Sequence, residues 1–292
     1  MSLLGAHISV AGGLHRAIDR GEALGCEAIQ IFTRNPLQWI GKTLSDSETD
    51  AFRRAFMKTD VVKRVVSHAS YLINLAGNNH IREKSIVALS EEIGRCYRLG
   101  IDEVVLHPGS SGDGDRSEAL GRLRDSLLQV LERTEETPVT ILLETMAGQG
   151  GVLGTGIEEL GSVINGLGWD KRLATCIDLC HLFGAGVDIR SEGGYNRLVA
   201  SISKHIGLDR VGCWHMSDNK GEKGSNIDRH AHIGEGEIGV IPFGMLVADE
   251  RFSDVPTILE TPKDGIGDEG DVTRQGAICK TSRTEKTVRD VC

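Results

Sequence analysis

Short runs of β-branched and apolar residues recur along the chain, and the stretches between most of them place apolar residues at helical spacing. The runs cover residues 3–9, 27–33, 64–70, 102–109, 140–145, 173–181, 210–218 and 257–262. Two intervening segments are clear helix candidates. LHRAIDRGEALG (14–25) and IREKSIVALSEEIGRCYRLG (81–100) each carry an apolar stripe and end in a glycine suited to a left-handed cap. Eight strand-like runs alternating with helices predict an α/β fold, a single closed (β/α)₈ TIM barrel, with its core over about 3–262 and a tail, 263–292, that is hard to assign. No Pro/Gly/Ser linker divides the chain. The Gly-rich segments 109–115 and 146–156 follow candidate strands and read as loops on the barrel's C-terminal face.

Metal-capable side chains fall in phase with those runs. His68, His107, Glu144, Asp178, His215 and Glu260 stand at or just after the ends of six different strands, separated by 39, 37, 34, 37 and 45 residues. One βα unit per interval returns the chain to the same rim, so residues far apart in sequence converge. Asp178 and His181 form D-x-x-H, and Asp228 and His230 form D-x-H beyond the seventh run. A lone strand-end histidine is more often a scaffold residue, and a lone acid more often a solvated group or a helix cap. Nine such residues on one rim favour a shared metal site instead. They are too many for one tetrahedral ion and suit three ions sharing a bridging carboxylate. Nitrogen and oxygen donors match zinc, with manganese or iron(II) also compatible.

Closely spaced ions suit phosphoester cleavage, because they acidify a water and neutralise phosphate oxygens. Glu144 is the best bridging candidate, and Glu260 is placed to ligate and to orient the attacking hydroxide. His7 and Ser9, at the end of the first run, are candidates for supporting hydrogen bonds, and rim packing is an equal alternative. Lys220 and Arg229 flank the D-x-H loop as candidate phosphate contacts. Tyr71, Leu72 and Leu37 lie in loops after the third and second runs, where apolar groups can wedge into a duplex. Trp39 reads as core.

Composition changes this picture little. The formal charge of -9 argues against a polyanionic partner, but three divalent ions would bring the sum to -3 and concentrate positive charge at the site. Seven scattered cysteines, Cys26, Cys96, Cys176, Cys180, Cys213, Cys279 and Cys292, read as reduced thiols of a cytoplasmic protein. No secretory leader or membrane span is evident, and monomer is the default state.

The segments SHASYLINLA, LHPGS, LLET, CIDLCHLFGAG and DRHAHIGEGEIG closely resemble those of the bacterial-type endonuclease IV family of apurinic/apyrimidinic DNA endonucleases. The resemblance runs from about residue 3 to Pro262. It implies a barrel with three zinc ions that cuts duplex DNA 5′ to an abasic site, leaving a 3′-hydroxyl, in base excision repair. Residue by residue, it gives His68 and His107 to the first zinc with bridging Glu144. Asp178, His215 and Glu260 complete the second, and His181, Asp228 and His230 hold the third. TRNPLQW resembles the family's DNA-penetrating loop with Leu37 where a basic residue is common, and Ser111 stands where histidine is frequent. The alternatives are a sugar or polyol isomerase or epimerase on a similar metal-bearing barrel and a noncatalytic DNA-lesion or structural zinc protein.

Overall fold

Eight parallel strands close on themselves in the computed structural model, which describes residues 2–262. They are β1 (Leu3–His7), β2 (Ala28–Ile31), β3 (Arg64–His68), β4 (Glu103–Leu106), β5 (Thr140–Glu144), β6 (Leu173–Asp178), β7 (Val211–Met216) and β10 (Pro256–Leu259). Closure comes from β1, which pairs with β2 on one side and with β10 on the other. Each expected run thus forms a barrel strand, shortened where its last residues turn into the rim. The tail from residue 263, with Cys279 and Cys292, lies outside the described residues.

The helices are α1 (His15–Leu24), α2 (Asp46–Lys58), α3 (Asn79–Leu99), α4 (Arg116–Arg133), α5 (Ile157–Gly166), α6 (Leu179–Gly184), α7 (Glu192–His205) and α8 (Ile241–Ala248). The glycine caps behave as expected. Gly25 and Gly100 have φ of 73° and 77°, where a side chain is disfavoured, and their N–H groups satisfy the last carbonyls of α1 and α3. None of these helices is long and apolar enough to cross a membrane.

Two apolar layers hold the barrel. The larger lies between strands and helices, and the smaller fills the barrel interior with Ala28, Val66, Val105, Leu142, Cys176, Cys213 and Ile258. The interior is tight enough that a Cβ at Gly5 would sit 1.7 Å from the Ala28 carbonyl oxygen. Above this apolar plug the strands end in polar and charged residues.

Two rim features depart from the linear pattern. The run 173–181 leaves the strand at Asp178, whose carboxylate accepts the His181 N–H at 2.7 Å and so caps α6. Between β7 and β10 the chain adds an antiparallel hairpin, β8 (Asp218–Asn219) with β9 (His230–Ala231), too short to show as alternation. Asp218 fixes its far side, accepting N–H groups of Gly234, Gly236 and Ile238 at 2.8–3.0 Å. The two Gly-rich loops also pair, through a bridge between Ser110 and Val152, and the Ser111 hydroxyl donates to Gly151 O.

Buried Glu92 on α3 anchors the loop after β2. Its Oε1 accepts from the Thr33 and Ser67 hydroxyls at 2.7 and 2.8 Å, and its Oε2 lies 3.2 Å from Arg34 Nε. Replacing Glu92 with Ala would leave a buried guanidinium and two hydroxyls without their carboxylate. We expect a loss of about 3 kcal/mol in urea unfolding. A change below about 0.5 kcal/mol would mean that Arg34 is already satisfied by the Ala88 carbonyl.

Candidate metal centre

Strand ends bring the predicted residues together. His68 and Glu144 close β3 and β5, Asp178 closes β6, and His215 precedes the last residue of β7. His107 follows β4 by one residue, and Glu260 follows β10 by one. Pairing of β6 with β7 sets Asp178 beside His215. His181 arrives on the first turn of α6, and the hairpin carries Asp228 in its loop and His230 on its second strand.

Ligand-type atoms form overlapping groups in which every pair lies within 4.8 Å. They comprise His68, His107 and Glu144; Glu144, Asp178, His215 and Glu260; and Asp178, His181 and His230. Asp228 Oδ1 joins the third, 3.3 Å from Nε2 of both His181 and His230. Glu144 faces several imidazoles, with Oε2 3.1 Å from His107 Nε2 and 3.3 Å from His68 Nε2, and Oε1 3.1 Å from His215 Nδ1. Glu260 Oε2 lies 3.3 Å from the same His215 nitrogen.

The back of each ring determines what its front presents. His68 Nδ1 lies 2.8 Å from Ala69 O, His181 Nδ1 2.8 Å from Thr145 O, and His230 Nδ1 2.7 Å from Glu260 O. A carbonyl only accepts, so Nδ1 carries the proton and Nε2 offers a lone pair to the carboxylates. His215 is reversed, its Nε2 donating to Gln30 Oε1 at 2.8 Å.

Such an arrangement fits divalent cations. Lone pairs and carboxylate oxygens confront one another across about 3 Å, and Asp178 Oδ2 and His230 Nε2 are buried atoms without a hydrogen-bond partner. A cation between them would satisfy both. Without a cation, protons would have to supply the positive charge. Burial disfavours imidazolium at His181 and His215, yet the surrounding carboxylates hold both well above the usual histidine range. His230, against the same burial cost, is pushed up to about 12 chiefly by Asp228. Glu144 is held well below the carboxylate range, because His107 and His215 overcome the cost of burying its charge.

Thiols come closer than the sequence pattern indicated. Cys180 lies within 4.8 Å of Asp228 and His230, and Cys176 and Cys213 lie equally near His215. Cys96, Cys176, Cys180 and Cys213 are buried free thiols, and Cys26 is buried as well. Gln30 was not foreseen at all, although a glutamine inside the apolar run EAIQIFT is an available signal.

Two cavities open beside the groups. One of about 540 Å³ is lined by His68, Tyr71, His107, Asp228, Lys220 and Arg229, among others. The other, about 680 Å³, lies between His7, Ser9, Phe32, Asn35, Tyr71 and Glu260. Tyr71 borders both and is half-exposed, while Lys220 and Arg229 are exposed on the hairpin. Leu37 is 69 % exposed and Leu72 partly buried, and neither lines these two cavities. Trp39 packs partly buried against the main core, as expected.

Comparisons with known proteins agree with this geometry. The family model described as a xylose isomerase-like TIM barrel matches residues 18–279. A probable endonuclease 4 of Trichlorobacter lovleyi is 44 % identical over 89 % of this chain and 92 % of its own. One of Geobacter sulfurreducens is 42 % identical over 97 % and 96 %. The crystal structure of endonuclease IV from Thermus thermophilus superposes with a TM-score of 0.82 at 32 % identity, covering 95 % of this chain and 98 % of that one. The chain therefore belongs to the endonuclease 4 family and is a hydrolytic nuclease on a xylose isomerase-like TIM barrel.

Proposed function

We propose that this enzyme uses three zinc ions to hydrolyse the phosphodiester 5′ to an abasic site in duplex DNA, leaving a 3′-hydroxyl, as a cytoplasmic monomer in base excision repair. The observation that carries this reading is the set of three ligand groups that share Glu144 and Asp178 and lie beside one open cavity. His68, His107 and Glu144 would hold one ion; Glu144, Asp178, His215 and Glu260 a second; His181, Asp228 and His230 a third. Manganese or iron(II) suits the same donors. Ions bound there would neutralise the phosphate oxygens and acidify a water.

The chain's own groups do the positioning. Glu260 Oε1 accepts from Gln30 Nε2 at 2.6 Å, which leaves Oε2 toward the ligand groups and an attacking water. Lys220 and Arg229 bring positive charge to the phosphate side of the cavity. His7 and Ser9 border the larger cavity, where His7 supports Glu260 at 3.6 Å. Tyr71 and Leu72, with Leu37 on the neighbouring loop, would wedge against the duplex and fill the space left by the missing base.

Elemental analysis of the purified enzyme should return about three metal ions per chain. A strong chelator should abolish incision of an abasic duplex in buffer without added magnesium. One ion or fewer with full activity would overturn the shared-cluster reading. Turnover of a ketose without DNA incision would instead establish a sugar epimerase.

Replacing Tyr71 and Leu72 with Ala should weaken binding to an abasic duplex by about tenfold, about 1.4 kcal/mol, and binding to intact duplex much less. Equal weakening on both would make these residues scaffold.

Glu260→Gln should reduce single-turnover incision on the order of 10³-fold, while lesion binding falls little. The new amide oxygen would accept from Gln30, so its NH₂ would face the ligand groups and repel a cation. Near-normal cleavage at full metal content would remove Glu260 from the chemistry.

A further inference from the structure

Gln30 lies on β2 with no exposure, between Ile29 and Ile31 in an otherwise apolar strand. Its carboxamide makes three contacts at the metal centre. Nε2 donates to Glu260 Oε1 at 2.6 Å and lies 3.0 Å from His7 Nδ1, and Oε1 accepts from His215 Nε2 at 2.8 Å.

These contacts form a chain of forced choices. An ionised carboxylate only accepts, so Glu260 fixes which end of the amide turns toward it. The carbonyl end must then face His215, and because a carbonyl only accepts, His215 must carry its proton on Nε2. That leaves the Nδ1 lone pair directed at Glu144 Oε1, 3.1 Å away, and Glu260 Oε2, 3.3 Å away. His68, His181 and His230 have their tautomers set by backbone carbonyls, which no substitution removes. At His215 a side chain does this work, and the same side chain orients Glu260.

We infer that Gln30 is a positioning residue, which selects the Nε2–H tautomer of His215 and aims Glu260, so that both present their ligand atoms to one cation. This inference rests on the metal reading above and adds a residue to it. Gln30 would touch neither metal nor substrate and would act only through the two ligands it holds. Partners of metal-bound histidines and carboxylates commonly change metal affinity by about 10- to 100-fold.

Two readouts test it. In a two-bond ¹H–¹⁵N correlation spectrum of the ¹⁵N-labelled wild-type enzyme, His215 should show the Nε2–H tautomer with a solvent-protected ring proton, opposite to His68, His181 and His230. Gln30→Met, similar in shape but unable to hydrogen-bond in this way, should lose that protected proton. Chelator competition should show one ion per chain bound about 10- to 100-fold more weakly in this variant, with the remaining ions unchanged. Gln30→Asn keeps the amide but is one methylene shorter. It should shift the same two readouts in the same direction, and it serves if the Met variant does not fold. The inference is overturned if wild-type His215 carries its proton on Nδ1, or if either folded variant keeps the protected proton and wild-type affinity for every ion. Because Gln30 Oε1 holds the Nε2 proton whether His215 is neutral or protonated, that protected proton and its loss in Gln30→Met can be read in metal-free protein, so a wild-type enzyme that binds no ions would defeat the metal reading while still reporting on Gln30.

Discussion

Glu144 is a carboxylate with no solvent exposure, so its charge has to be balanced from inside the protein. Burial of an unpaired carboxylate is costly enough that the group would otherwise hold its proton. Here His68, His107, His181 and His215 all bring a ring nitrogen within 3.3 Å of it. Removing solvent makes each of these attractions stronger and makes any missing partner more expensive. Asp178, equally buried, extends the same requirement to a second carboxylate. The centre is therefore poised to take up cations, because positive charge must reside there whether protons or metal ions supply it.

Meeting that requirement depends on parts of the fold that carry no chemistry. Parallel strands of matched register deliver the side chains to one rim, and the apolar layer beneath keeps the rim from collapsing inward. Backbone carbonyls of residues 69, 145 and 260 then fix three rings from behind. Carbonyls at barrel strand ends and rim loops are held by the scaffold, so the ligand nitrogens are oriented before any cation arrives. Preorganisation of this kind lowers the cost of ordering the site when substrate binds. The hairpin of β8 and β9 is the exception, since Asp228 and His230 reach the centre from a short element held by the side chains of Asp218 and Asn219.

Negative net charge and a polyanionic substrate are reconciled at the same place. The chain carries -9 formally, but the four carboxylates of the centre contribute to that sum and are the groups that cations would offset. Exposed Lys220 and Arg229 line the same cavity and set two positive charges beside those carboxylates.

Eight apolar runs, the glycine ends of α1 and α3, and the spacing of the six strand-end ligands were legible in the sequence, because each depends on a local period or on one βα unit per turn of the barrel. The D-x-x-H and D-x-H motifs were legible for the same reason. Tertiary structure alone decided that Asp178 both caps α6 and turns its other oxygen into the centre, since the cap forms only once the strand has ended. It alone placed Cys180 beside Asp228 and His230. It also gave Gln30 its importance, for a polar residue in an apolar strand is conspicuous in sequence but its partners lie 185 and 230 residues away. Linear pattern carries the period of the backbone, whereas the direction of a hydrogen bond across a barrel mouth depends on every strand that closes it.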